Sequence, residues 1–388
     1  MQTSSPPHND DELMDPDRRA RAREHARERR RLALLQFVWS ALLVLFFLQS
    51  GASVALRDLL RQIGLTDPWL QVTAYLTVAL LAYSLLTLPM EWWSGYVVPH
   101  RYGLSTQTPY SWLQDLIKSL LLAWALGVLL GQVVYALLRI NPDTWWAWAG
   151  IVLLLATIGL GQLAPVLILP LFYTLTPLED DELCRRIRRL GEYAGIRVAE
   201  IYTIDLSRRT TTANALFLGL GRTRRIALGD TLYEDYDVDE IETIIAHEMG
   251  HQAHHDLEQG IAVQSALLFG GLYAAHLALR WGVSRYGFEG IHDLAALPLF
   301  LLVMGAFAAV TGPLINAHSR WREREADRYA LRITQNPRAF ARALRRLTRQ
   351  NLVDLEPPQW VVWLTYTHPP IRERLAMAEN WPDPHLDP

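Results

Sequence analysis

Six stretches of this chain contain no Asp, Glu, Lys or Arg and are long enough to cross a lipid bilayer, which takes about 20 apolar residues. They cover residues 32–56, 69–90, 119–138, 144–178, 259–279 and 294–319. No other feature constrains the fold as strongly. In hydrocarbon every backbone N–H and C=O must be satisfied inside the protein, and a helix does this within one segment. A soluble chain of 388 residues would have to bury all six, which is the poorer reading. The first run starts at residue 32, is 25 residues long and lacks a small-residue cleavage site, so it reads as a span and not as a signal peptide. The expected fold class is mainly α, a polytopic membrane protein with about six transmembrane helices.

Charge excludes little beyond that. The formal net charge is −3, from 37 basic and 40 acidic residues, with no block-wide basic excess of the kind that marks nucleic-acid binders. The lone cysteine, Cys184, rules out an internal disulfide and a cysteine-based metal cluster. Lys118 is the single lysine, a bias that reflects codon usage more than function.

Residues 1–31 read as a disordered or frayed helical tail. Eight arginines between positions 18 and 31 abut the first span and place the N-terminus in the cytoplasm by the positive-inside rule. Residues 144–178 are too long for one straight span and too short for two. Pro165 and Pro170 are expected to kink them, with the second half on the membrane surface or lining a cavity. Counted as one crossing, this run makes four spans before residue 179. Residues 179–258 then share the side of the N-terminus, and spans five and six form a hairpin that returns residues 320–388 to it. The polar part opens with a helix at 179–195, where Leu183, Ile187 and Leu190 recur at helical spacing. Strands are expected at 198–205, 215–220 and 225–228, giving a small β-sheet. Asp237 and Asp239 mark the start of a further helix.

That helix carries H-E-M-G-H at 247–251. His247 and His251 stand four residues apart, so both project from one face and can bind one ion, with Glu248 beside them. Neutral imidazoles with a carboxylate suit zinc, one ion per chain, which activates water and polarises a carbonyl. A catalytic zinc takes a third protein ligand and keeps one position open. His254 and His255 are expected to continue the same helix, where their rings aim poorly at the ion. The segment N-A-H-S-R-W-R-E-R-E-A-D at 316–327 is the better source. Glu323 and Asp327 share a helix face there, while Glu325 points elsewhere. Glu323 is assigned as the third ligand, 72 positions after His251, and Asp327 as a carboxylate that orients a ligand histidine.

With these motifs in place the sequence resembles the integral-membrane zinc metalloproteases typified by the type I CAAX prenyl endoprotease. The likeness runs from about residue 70 to 376. It rests on R-Y-G-L-S-T-Q-T (101–108), the D-x-x-K of Asp115 and Lys118, P-V-L-I-L-P-L-F-Y-T-L-T-P-L-E-D (165–180) and S-R-R-T-T-T-A-N-A-L-F-L-G-L (207–220). It continues in R-I-A-L-G-D-T-L (225–232), A-H-E-M-G-H (246–251), S-R-W-R-E-R-E-A-D (319–327) and T-H-P-P-I-R-E-R-L (367–375). The resemblance implies a gluzincin-type domain in which His247, His251 and Glu323 bind zinc and Glu248 is the general base. It implies that Asn214 and Ala215 open an edge strand that holds the substrate backbone, and that His368 and Arg374 stand near the scissile carbonyl. A large intramembrane chamber is implied as well. The eukaryotic members have seven spans against six here, and their counterpart of S-R-R-T-T-T-A-N is richer in Ser and His.

The expected organisation is a tail at 1–31, four spans within 32–178, and a zinc metallopeptidase domain at 179–388 that includes the hairpin at 259–319. The expected activity is endopeptidase cleavage of extended segments, on CAAX-prenylated proteins or on membrane proteins in general. The alternatives are a silent scaffold that has kept the fold, or a transporter. The transporter reading lacks ionisable residues at mid-span. The expected partners are a peptide or protein substrate, prenylated or not, and the lipid bilayer, with no nucleic acid. The expected location is a bacterial inner membrane, with the N-terminus and catalytic domain cytoplasmic.

Overall fold

The computed structural model describes residues 13–218 and 225–382. Six of its helices are long and apolar enough to cross a membrane. The first, α1 (Pro16–Gln49), begins well before the apolar run. Its arginine-rich half, expected as a disordered or frayed extension, is ordered helix. Asp15 caps it by accepting from the Arg18 amide at 2.8 Å, Ala22 and His25 are buried, and Glu28 accepts from Arg101 and Tyr102. The part of that expectation covering residues 1–12 lies outside the described residues. The first span also ends earlier than its charge-free run. Gly51, with φ +76°, turns the chain, and α2 (Ala52–Gln62) is a separate helix.

Then come α3 (Pro68–Trp92), extended by a π turn and a short helix to Arg101, α4 (Pro109–Ile140) and α5 (Trp145–Leu163). The fourth span differs from the expected kink. Pro165 sits in a π turn, Ala164–Ile168, and the helix resumes at Leu169–Phe172. A wider turn removes the need for the amide that proline lacks, so the helix carries on instead of breaking. It stops at Phe172, short of residue 178, and the chain enters β1 (Leu175–Pro177).

The polar part contains α6 (Asp181–Tyr193), β2 (Glu200–Ile204), β3 (Ala215–Leu218), β4 (Arg225–Gly229) and α7 (Val238–Ala253). Residues 219 and 220, the end of the second expected strand, are outside the described residues. The sheet order is β1-β2-β4-β3, with β2 and β4 parallel and both outer strands antiparallel to their neighbours. β3 is thus an edge strand. The spans α8 (Asp256–Tyr286) and α9 (Leu297–Thr334) follow, then α10 (Pro337–Gln350) and α11 (Ile371–Glu379).

Two cores hold the chain. In one, Leu183, Ile187, Ile226, Leu228, Ile245 and Met249 bring α6, β4 and α7 together. The other joins the spans through Tyr75, Tyr135, Trp145, Leu272 and Leu299. Outside it the spans expose large apolar side chains such as Phe46, Leu121 and Val310. Water would not tolerate so broad an apolar surface, and lipid does. The α9 helix spans both regions. At 38 residues it is about 57 Å long, so its apolar first half lies among the spans and its charged last turns reach α7.

Candidate active site

A capping box starts α7: the Asp237 side chain takes the backbone of Glu240, whose own side chain accepts from the Asp237 amide at 3.1 Å. This sets the helix register and with it the face on which His247 and His251 project. Between them, Gly250 lets α9 come close. A Cβ there would stand 3.0 Å from the Ala326 Cα. That approach brings the two charged faces together.

Glu323 Oε2 lies 3.2 Å from His247 Nε2, and Glu323 Oε1 lies 3.5 Å from His251 Nε2. The two imidazole Nε2 atoms are 3.3 Å apart. One donor atom from each of the three residues falls within 4.8 Å of the others, the arrangement of a three-ligand metal site. Asp327, fully buried, meets His247 Nδ1 at 2.8 Å. Glu248 lines a cavity of about 1130 Å³ beside His247. Glu325 pairs with Arg328 instead.

The remaining candidates converge on the same place. His368 Nε2 is 3.2 Å from Glu323 Oε1. Arg374 donates from Nε and Nη2 to Asp327, at 2.8 and 2.6 Å. The resemblance put Arg374 near a scissile carbonyl; here it lines the cavity with two of its nitrogens fixed on Asp327. One carboxylate therefore orients a histidine and an arginine together. Asn214 and Ala215 line the cavity too, at the start of the edge strand. The Asn214 carbonyl accepts from the Gly229 amide, which ties that end of β3 to β4.

Asp256 belongs to the cluster and was not expected there. It meets His251 Nδ1 at 2.8 Å and pairs with Arg322. Sequence spacing gives no sign of it, because the helix does not continue through His254 and His255 as expected. α7 ends at Ala253, and His255 takes the left-handed conformation with φ 56°. The chain doubles back, so the first residue of α8 faces His251. The ring of His254 packs edge-on against Tyr329, and His255 is exposed.

The donor set fits a divalent cation. Among the described residues the four carboxylates of Glu248, Asp256, Glu323 and Asp327 stand against two guanidinium groups, Arg322 on Asp256 and Arg374 on Asp327. Burial pushes His251 down and so favours the neutral form that binds metal. Burial also lowers His247, but the Asp327 and Glu323 carboxylates outweigh it and lift that ring to about 9. Burial raises the Glu248 carboxyl above the ordinary range, toward that of an effective base.

Comparison with known proteins agrees. The family model for peptidase family M48 matches residues 177–382, and that for the CAAX prenyl protease N-terminal region, described as five membrane helices, matches residues 1–174. Within that region the described residues hold four candidate spans. An uncharacterised Bacillus subtilis metalloprotease is 33% identical over 342 residues, covering 87% of this chain and 80% of its own. CAAX prenyl protease 1 of Saccharomyces cerevisiae is 31% identical over 317 residues, covering 76% of this chain and 69% of its own. The crystal structure of Ste24p from S. mikatae superposes with a TM-score of 0.87 at 25% identity, over 98% of this chain and 93% of that one. Fold, the convergence of His247, His251 and Glu323, and relatives lead to one conclusion: the chain belongs to peptidase family M48 and is an integral membrane metalloendopeptidase of the CAAX prenyl protease type.

Proposed function

We propose that His247, His251 and Glu323 hold one zinc ion and that Glu248 is the general base of peptide hydrolysis. The observation that carries this reading is the convergence of three donor atoms within 4.8 Å from two helices, with Glu248 beside them in an open cavity. When bound, the ion supplies Lewis acidity to the scissile carbonyl and the attacking water. Glu248 takes the proton from that water and passes it to the leaving amine. His368, 59% exposed in its side chain and with Nε2 beside Glu323, donates to the developing oxyanion. Arg374, held by Asp327, adds fixed positive charge on the same side. The outer edge of β3, opening at Asn214 and Ala215, takes the substrate backbone by strand addition, a mode that accepts any extended peptide.

The two family matches support a division of labour along the chain. Residues up to 178 supply four spans, and residues 179–388 supply the peptidase domain with its two-span hairpin. The eight arginines of α1 support a cytoplasmic N-terminus and catalytic face, and the likeness to a Bacillus protein supports a bacterial cell membrane. Arg18, Arg23 and Arg30 engage the peptidase domain, which supports a structural use of the run and not nucleic-acid binding. Prenylated substrates are supported by the named activity of the relatives. The test compares a farnesylated CAAX peptide, its unprenylated twin and an unfolded membrane protein, each with wild type and Glu248→Gln. Zinc near one per chain and Glu248-dependent cleavage are expected. Cleavage that survives Glu248→Gln would overturn the base assignment, and equal rates on the twin peptides would overturn recognition of the prenyl group.

A further inference from the structure

Between α10 and the turn that carries His368, the chain forms a short helix, Gln359–Thr365. Trp360, Trp363 and Leu364 stand three and four positions apart on one of its faces. They are 65%, 58% and 39% exposed, while Val361 is fully buried. Among the described residues of 179–388 outside the hairpin, the exposed large apolar side chains are Tyr193, Leu257, Trp321 and these three. Half of them thus sit on one helix of seven residues, which makes a patch and not a scatter.

Contacts on two sides fix the depth of that helix. Asn316 Nδ2 donates to the Leu364 carbonyl at 2.7 Å, and Arg320 Nη1 donates to the Val362 and Tyr366 carbonyls at 2.9 and 2.6 Å. The charge-free run of α9 ends at residue 319, and Arg320 is the first charge beyond it. On the other side Leu34, the third residue of the first apolar run, lines the cavity together with Trp360 and Leu364. The helix therefore lies where α1 and α9 leave hydrocarbon. An indole combines an apolar body with an N–H donor and settles at the level of the lipid headgroups.

We propose that this helix seats its Trp363 face in the headgroup layer of the bilayer, and that the seat positions the turn carrying His368. From Thr365 the chain reaches His368 in three residues, and Arg320 holds Tyr366 within that stretch. A shift of the helix is thus passed to the imidazole 3.2 Å from Glu323 Oε1. Trp363 is not part of the cavity lining, so it is a positioning residue. A second copy of the chain is the poorer occupant. Two indoles and a leucine at this exposure offer well under the roughly 800 Å² per partner of a stable interface. The link to hydrolysis rests on the peptidase reading, whereas the seat in lipid does not.

The test uses the full chain in phosphatidylcholine nanodiscs, with Cys184→Ser and one new cysteine carrying an environment-sensitive dye. The dye is placed through Trp363→Cys or, as an aqueous control, through Arg21→Cys, which is exposed and about 16 Å along α1 from the start of the apolar run. At Trp363→Cys the dye is expected to be quenched by lipid spin-labelled near the headgroup and shielded from iodide in the buffer, and at Arg21→Cys the reverse. Equal iodide quenching at the two positions overturns the proposal. Shielding of Trp363→Cys from both quenchers also overturns it, because protein would then cover the helix. In the same bilayers Trp363→Glu should lower kcat about tenfold with KM and metal content unchanged, since small misplacements of a reacting group are costly. Trp363→Tyr, which also favours the interface, should restore most of the rate. An unchanged kcat in Trp363→Glu, or an equal loss in Trp363→Tyr, overturns the positioning role. Failure of the peptidase reading looks different: no Glu248-dependent cleavage would be seen, while the quenching pattern would stand.

Discussion

The hairpin of α8 and α9 has a buried charged cluster at each end, and the two are built differently. α8 alone is about 46 Å long, so Asp256 at its start and Asp293 beyond its end are far apart. At the Asp293 end the polar groups satisfy each other. Arg57 pairs with Asp293 and Asp58, Arg61 pairs with Glu289, and Asp293 also accepts from the Ala295 and Glu289 amides. At the Asp256 end, two imidazoles meet tip to tip, and among the described residues four carboxylates stand against two guanidinium groups. Buried charge is common to both clusters, and it does not mark a site by itself. The mark is donor atoms of three residues aimed at one point beside a cavity.

Substitutions break this comparison in a definite order. Glu248→Gln should have the largest effect, a loss of about 10²–10⁴-fold in peptide hydrolysis with the metal retained. Metal analysis beside a single-turnover assay checks both halves, and loss of metal would move Glu248 into the ligand set. Asp293→Ala belongs to the other cluster. It removes the buried carboxylate that holds Arg57, 10% exposed in its side chain, and that accepts from the Ala295 and Glu289 amides, and should cost about 3–5 kcal/mol of stability. Thermal unfolding in detergent should show the shift, while the kcat/KM of the folded fraction stays at wild type. Altered metal content there would contradict the separation of the two ends.

Asp327→Asn comes next, at about 10–100-fold in metal affinity or activity, because Asp327 orients His247 and anchors Arg374. Chelator competition reads the first contact and kcat/KM reads both. Gly250→Ala pushes a Cβ against the backbone of Ala326 and should cost about 1–3 kcal/mol. Its effect should extend to metal content, since that crossing brings Glu323 to the histidines.

How far the sequence could show this differs by feature. The spans were legible because a charge-free run is a property of composition alone. The grouping of His247 with His251 and of Glu323 with Asp327 was legible because each pair keeps one helical period, which survives without knowledge of the fold. Asp256 was not, since its position depends on His255 adopting a left-handed backbone that no glycine signals. The order of the arginine-rich half of α1 was hidden for a similar reason. Its composition reads as a solvated tail, and its partners Arg101, Arg349, Asp354 and Glu356 lie 73 or more positions away. The π turn at Pro165 shows the limit of a local rule: proline removes an amide, but whether the helix bends or widens is decided by what packs around it.

The smallest effect comes from Arg61→Ala, and it sharpens the comparison by dividing the Asp293 end itself. Arg61 holds Glu289 with both Nη atoms, geometry that on paper matches the Arg57 pair. Yet its side chain is 40% exposed and that of Glu289 is 47% exposed. Water and salt screen such a pair, and holding two long side chains in place costs entropy, so under about 1 kcal/mol is expected. Thermal unfolding of Arg61→Ala beside Asp293→Ala, at low and at high salt, separates the two cases. The small loss for Arg61→Ala should shrink further as salt rises, whereas the large loss for Asp293→Ala should hardly change, because ions do not reach Arg57. Equal losses would mean that burial does not set the worth of these pairs, and the contrast between the two ends of the hairpin would lose its physical basis.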